Sequence, residues 1–236
     1  MFADNPELLP FVLAVVGSGI AAGFLAGLFG IGGGAILVPV FYQAFGWVDV
    51  PEAVRMHLAV GTSLAIIVPT SIRSFFAHRA QRAVDMETLR GFYIAVPVGV
   101  VFASLVISGI SGAGLRIVFA VLATLVGLKL IFDRPGWKLG DDLPGGLWRF
   151  IIGGFMGFFS TLMGIGGGVL NNTFMTLFSR PIHQAIATSS GIGVLISIPG
   201  LFGAIWAGWG ASGLPAFSTG YVNWVCVAIV IPVTMT

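Results

Sequence analysis

Two copies of one pentapeptide, Gly30-Ile31-Gly32-Gly33-Gly34 and Gly164-Ile165-Gly166-Gly167-Gly168, stand in apolar surroundings in a chain of 236 residues. Three consecutive glycines interrupt a helix. Where a second helix starts after the break, its first amides have no carbonyl to bond and carry the positive end of a helix dipole. That combination holds an anion without any charged side chain. The same glycines also suit close packing through small-residue faces. Asn171 and Asn172 follow the second run, where the first copy has Leu37 and Val38. Their amides donate readily to sulfonate, carboxylate or phosphate oxygens, or else bond helix to helix. Thr62-Ser63 and Thr188-Ser189 hold equivalent places on the helices that come next. A hydroxyl there donates to an anion or bonds back to its own i−4 carbonyl. The substrate-binding set read from these patterns is Gly32, Gly33, Gly34, Thr62, Ser63, Gly166, Gly167, Gly168, Asn171, Asn172, Thr188 and Ser189. His57 and His183 open the same helices and Arg73 lies near one end of its helix, so these three are candidates for coupling to a proton or another ion. Each also suits a headgroup anchor or a helix cap.

Other chemistries find no support. No Asp or Glu lies deep in an apolar stretch, and no nucleophile elbow, His-Glu-x-x-His or Cys/His metal spacing occurs. Neither an enzyme, a metal nor a cofactor is expected. The eleven basic residues are scattered, which argues against nucleic acid, and the single cysteine, Cys226, excludes a disulfide framework.

The elements that carry these residues belong in a bilayer. Apolar residues make up 57% of the chain and charged ones 8%, against about 25% in a soluble domain. Each charge at the bilayer centre costs about 3 kcal/mol, so charge-free intervals mark the spans. They run from Leu8 to Val48, Met56 to Ile72, Gly91 to Leu115, Ile117 to about Phe132 with Lys129 snorkelling, and Phe150 to Ser179. The 56 residues from Pro181 to Thr236 contain no Asp, Glu, Lys or Arg and divide into two helices at the Gly/Ser/Pro-rich turn Ala207–Thr219. Asp4 and Glu7 replace the basic start of a secretory signal, so the first apolar stretch is expected to be retained.

Shifted by 134 residues, the chain matches itself over the glycine runs; shifted by 126, His57–Ser63 falls on His183–Ser189. The chain therefore reads as two copies of one unit. Residues 1–132 form the first transmembrane repeat, 133–148 a linker, and 149–236 a second repeat that lacks one last helix. Arg79, Arg82 and Arg90, with Arg134, Lys138 and Arg149, place both intervening loops in the cytoplasm, whereas the acidic N-terminus and the loop at 207–219 fall outside. These placements agree if each glycine-broken segment is a re-entrant hairpin followed by three crossings. The expected fold is thus an all-α polytopic membrane protein with two inverted repeats. A single kinked crossing would instead put 207–219 inside and Arg180 outside, which the charge distribution disfavours.

Gly23 to Gly34, its copy Gly157 to Gly168, Ala59 to Ser63, and His78 through Val84-Asp85 together resemble the TauE/SafE family of membrane proteins. The resemblance implies export of sulfite or sulfoacetate, or uptake of organosulfonates such as toluenesulfonate, across a bacterial inner membrane. It implies a small anionic substrate, surrounding lipid and no nucleic acid. Asn171, Asn172 and Thr173 replace the family's usual apolar pair and proline, which suits a larger anion or an aromatic ring against Phe174, Phe202 or Trp206. A reading of a different kind is a membrane scaffold or assembly subunit that moves nothing.

Overall fold

The structure, a computed structural model, describes residues 8–29, 33–132, 138–140 and 142–234. Helices α1 (Leu8–Phe29) and α2 (Gly34–Trp47) flank the first glycine run. They run antiparallel: Phe11 meets Phe45 at one end with ring centroids 6.3 Å apart, and Gly33 abuts Ala22 at the other. Next come α3 (Glu52–Ala80), the short α4 (Met86–Phe92), α5 (Ala95–Gly109) and α6 (Gly112–Phe132). The second series contains α7 (Gly146–Leu162), α8 (Gly168–Leu177), α9 (Ile182–Ala207), strands β1 (Ser218–Thr219) and β2 (Val222–Asn223), and α10 (Trp224–Thr234). The strands pair antiparallel, Ser218 with Asn223 and Thr219 with Val222.

Three described stretches are long and apolar enough to cross a membrane: α3, α9 and Gly112–Lys129 of α6. The pair α4 and α5, bent by 41°, makes a fourth if it is one span. At 1.5 Å per residue, α3 is about 44 Å long, enough to cross the roughly 30 Å hydrocarbon core with a tilt. Large apolar side chains cover the outside, among them Phe24, Ile117, Leu125 and Ile131. Such a surface is stable only in lipid.

Charge-free intervals located helices better than their ends. The interval Gly91–Leu115 crosses a helix boundary at Ile110–Ser111, where Ser111 Oγ accepts from the Gly114 amide at 3.1 Å to open α6. No charge marks that boundary. In the expected turn at 207–219, the last two residues already form β1 of the small hairpin.

Helices α3 and α9 form the central crossing. Along α3, Gly61 packs on Ala204, Leu64 on Gly200, Ser71 on Gly193 and Phe75 on Gly191. Partner numbers fall as α3 rises, so the two helices are antiparallel. Ser71 Oγ and Ser197 Oγ, 126 residues apart and thus equivalent between the copies, approach to 3.5 Å. A second exchange is reciprocal. Thr62 Oγ1 on α3 accepts from the Asn223 amide at 3.0 Å, while Thr188 Oγ1 on α9 accepts from the Asp85 amide at 3.0 Å. Asp85 and Asn223 do the same local work: the side chain of each caps a helix, α4 through the Glu87 and Thr88 amides and α10 through the Cys226 amide.

Helices α5 and α7 meet through glycine. A Cβ at Gly99 would overlap the Gly154 carbonyl, and one at Gly157 would overlap the Val96 carbonyl. Backbone cannot yield as a side-chain tip can. Gly157→Val is therefore expected to cost at least about 1–3 kcal/mol and to abolish the monodisperse detergent-solubilised peak on size exclusion. Gly127→Ala, with open space around it, is expected to leave that peak unchanged.

Candidate functional site

The second break is built from two left-handed glycines. Helix α7 ends at Leu162, Gly164 takes φ +62°, and Gly167 takes φ +73° at the head of α8. Such angles suit glycine and oppose any side chain with a Cβ. The two breaks touch: a Cβ at Gly34 would overlap the Gly164 carbonyl, and that carbonyl accepts from Ser63 Oγ at 2.8 Å. Gly32 lies outside the described residues.

Beside this meeting point is a cleft of about 220 Å³. Gly33, Gly166 and Gly168 form one wall. Thr70, Ser71, Ser74 and His78 of α3 form a second, and Ser189, Ser190 and Gly193 of α9 a third. His78 contributes an imidazole to this wall. Most of the hydroxyl protons already have acceptors. Thr70 donates to the Ile66 carbonyl, Ser71 to Val68, and Ser190 to Ala187. Ser189 Oγ donates to Asn172 Oδ1 at 2.6 Å and accepts from Asn171 Nδ2 at 2.8 Å. These four hydroxyls turn lone pairs toward any ligand, so donors to an anion must come from elsewhere in the wall, above all from backbone amides.

The residues singled out in the sequence divide into two groups. Gly33, Gly166, Gly168 and Ser189 line the cleft, and Gly34 and Gly167 adjoin it at the breaks. Asn171 and Asn172, both buried, stand behind Ser189 and orient it. The hydroxyls of Thr62, Ser63 and Thr188 are held in contacts between the copies and do not line the cleft. His57 is buried away from it, with Nε2 3.1 Å from the Ile110 carbonyl and its ring stacked on Tyr221 at 4.7 Å. His183 and Arg73 are exposed. Phe202 and Trp206 face outward, and Phe174 packs between Phe92 and Phe178, so none of the three rings reaches the cleft. Thr70, Ser74 and His78 were missed, although their i, i+4, i+8 spacing draws a polar stripe along an apolar helix.

The model of the sulfite exporter TauE/SafE family matches residues 15–236. The chain belongs to the TauE/SafE family. A probable membrane transporter protein of Haemophilus influenzae is 34% identical over 91% of this chain and 81% of its own length. One from Methanocaldococcus jannaschii is 33% identical over 82% and 71%, and one from Bacillus subtilis 26% identical over 95% and 84%. No solved structure matches. Membership makes the protein one of a family of multi-pass membrane transporters, in agreement with its apolar helices.

Thr62 separates folding from binding in this TauE/SafE protein. Thr62→Val leaves the buried Asn223 amide without an acceptor, which costs about 1–3 kcal/mol. A lower melting temperature in detergent is expected, with unchanged anion affinity in the folded fraction.

Proposed function

We propose that the protein moves a small sulfur-containing oxyanion, sulfite or an organosulfonate, across the bacterial inner membrane by alternating access between two inverted halves. The observation that carries this reading is the cleft at the contact of the two glycine breaks, lined by glycine backbone and polar side chains in an otherwise apolar protein. Backbone broken at membrane depth is tolerated where protein buries it or it borders a wet cavity. The description of the family as sulfite exporters supports this substrate class. The antiparallel crossing of the equivalent helices α3 and α9, with the reciprocal bonds of Thr62 and Thr188, supports a two-fold axis in the membrane plane. Residues 1–132 and 149–236 are then the two halves and 133–148 their cytoplasmic linker. The antiparallel α1 and α2 support a re-entrant hairpin at the first break.

The same observations support a direction of opening. The cleft reaches His78, beside Arg79 and Arg82, whose charges mark the cytoplasmic side. At the other end of α3, Tyr221 stacks on His57, its amide bonds the Ala204 carbonyl at 3.2 Å, and its carbonyl abuts Gly61. The arrangement is that of an inward-facing state. Opening to the outside requires the β1–β2 hairpin to leave this seat.

Reconstituted into liposomes, the protein is expected to catalyse uptake of labelled sulfite or toluenesulfonate well above protein-free vesicles. Absence of flux with either anion, in vesicles where the protein is folded and inserted, overturns the reading and favours a non-transporting scaffold.

A further inference from the structure

We propose that the anion's oxygen-bearing head is held at the second glycine break, by the amides that open α8 together with the hydroxyl of Ser160. The proposal rests on the transport reading and adds a residue and an asymmetry to it. Gly167 is left-handed, with φ 73° and ψ −2°, and Gly168 begins the right-handed helix. Successive residues of opposite hand turn their amides to one side and form an anion-binding nest. The first backbone bond into the helix runs from the Asn171 amide to the Gly167 carbonyl at 3.0 Å. No side chain caps the helix. The amides of Gly168, Val169 and Leu170 therefore stand open, as those of an uncapped first turn do.

Ser160 is the independent observation. It lies in the last turn of α7, its side chain is fully buried, and Oγ has no hydrogen-bond partner. That is unlike other serines in these helices: Ser71, Ser104, Ser108 and Ser190 all donate to a carbonyl three or four residues back. The adjacent Thr161 does so too, to Gly157 at 2.7 Å. Ser160 Oγ instead points at the break, 3.5 Å from where a Cβ on Gly167 would lie. Gly166 and Gly168, on either side of Gly167, line the cleft. Ser160 stands behind this lining, so a headgroup settling between them reaches its hydroxyl by entering the break at Gly167. An unpaired buried hydroxyl is destabilising until something accepts its proton, and an oxyanion does.

Among the described residues, the first break differs in both respects. Gly33 is right-handed, with φ −58° and ψ −16°, and the Ile36 amide, which corresponds to that of Leu170, already donates to its carbonyl at 3.1 Å. The residue matching Ser160 under the 134-residue shift is Ala26. The two copies are thus unequal where it matters for charge, and the head of the ligand stays with the second.

The test uses the purified full chain in detergent, with sulfite and methanesulfonate as probes in calorimetry. Ser160→Ala is expected to weaken binding by about 10- to 100-fold, the usual effect of removing one hydrogen bond to a charged ligand. In the absence of ligand, the same variant is expected to melt at the parent temperature or above, because the hydroxyl had no partner to lose. Ser104→Ala, which removes a hydroxyl bonded to its own helix, should leave affinity unchanged. Unaltered affinity in Ser160→Ala overturns the placement, and so does a lower melting temperature without ligand, which would reveal a structural partner. If the parent binds neither probe, the transport reading falls and takes this placement with it.

Discussion

A backbone broken inside hydrocarbon can send its amides and carbonyls only to other protein or to water. Much of the arrangement follows from that constraint. The Gly164 carbonyl is satisfied by Ser63 from the other copy, while Gly33, Gly166 and Gly168 border the cleft. The two breaks thus pack against each other, Gly34 on the Gly164 carbonyl. Asn171, Asn172 and Ser189 extend the same logic one layer outward, as buried polar groups bonded to one another beside the cleft.

Glycine is the means by which the helices come close enough. Without a hydrophobic force between helices in lipid, association relies on close packing and polar contacts. The crossing of α3 and α9 places Gly61, Gly191, Gly193 and Gly200 against the opposite helix, and α5 meets α7 through Gly99, Gly153 and Gly157. The chain contains 35 glycines. Those at the crossings set interhelical distance, whereas Gly164 and Gly167 set backbone hand, and a single residue type performs both tasks for different reasons.

The helical class and the separations of α1 from α2 and of α7 from α8 were legible because each leaves a local trace: absence of charge or a glycine run. The boundary at Ile110–Ser111 left none, since it carries no charge and one serine suffices to cap α6. The side chains were harder. Thr62, Ser63 and Thr188 look alike in sequence to hydroxyls that face a ligand, and only the partner each finds, 161, 101 and 103 residues away, decides the matter. Ser160 is hidden for the opposite reason, as one more serine in an apolar helix whose distinction is a missing bond. The polar stripe Thr70, Ser74 and His78 was readable from helical spacing but is easily lost beside the louder glycine signal.

The reciprocal bonds of Thr62 and Thr188 have a bearing on how the protein is made. Synthesis from the N-terminus delivers α3 and the Asp85 cap to the membrane long before α9 and Asn223 exist. The early half must wait with the Asp85 amide lacking the Thr188 oxygen and Thr62 lacking the Asn223 amide. When the late half arrives, both gaps close together and each copy supplies what the other lacks. Assembly in the bilayer is therefore a mutual completion, with a ribosome-imposed interval in which the first half is unfinished.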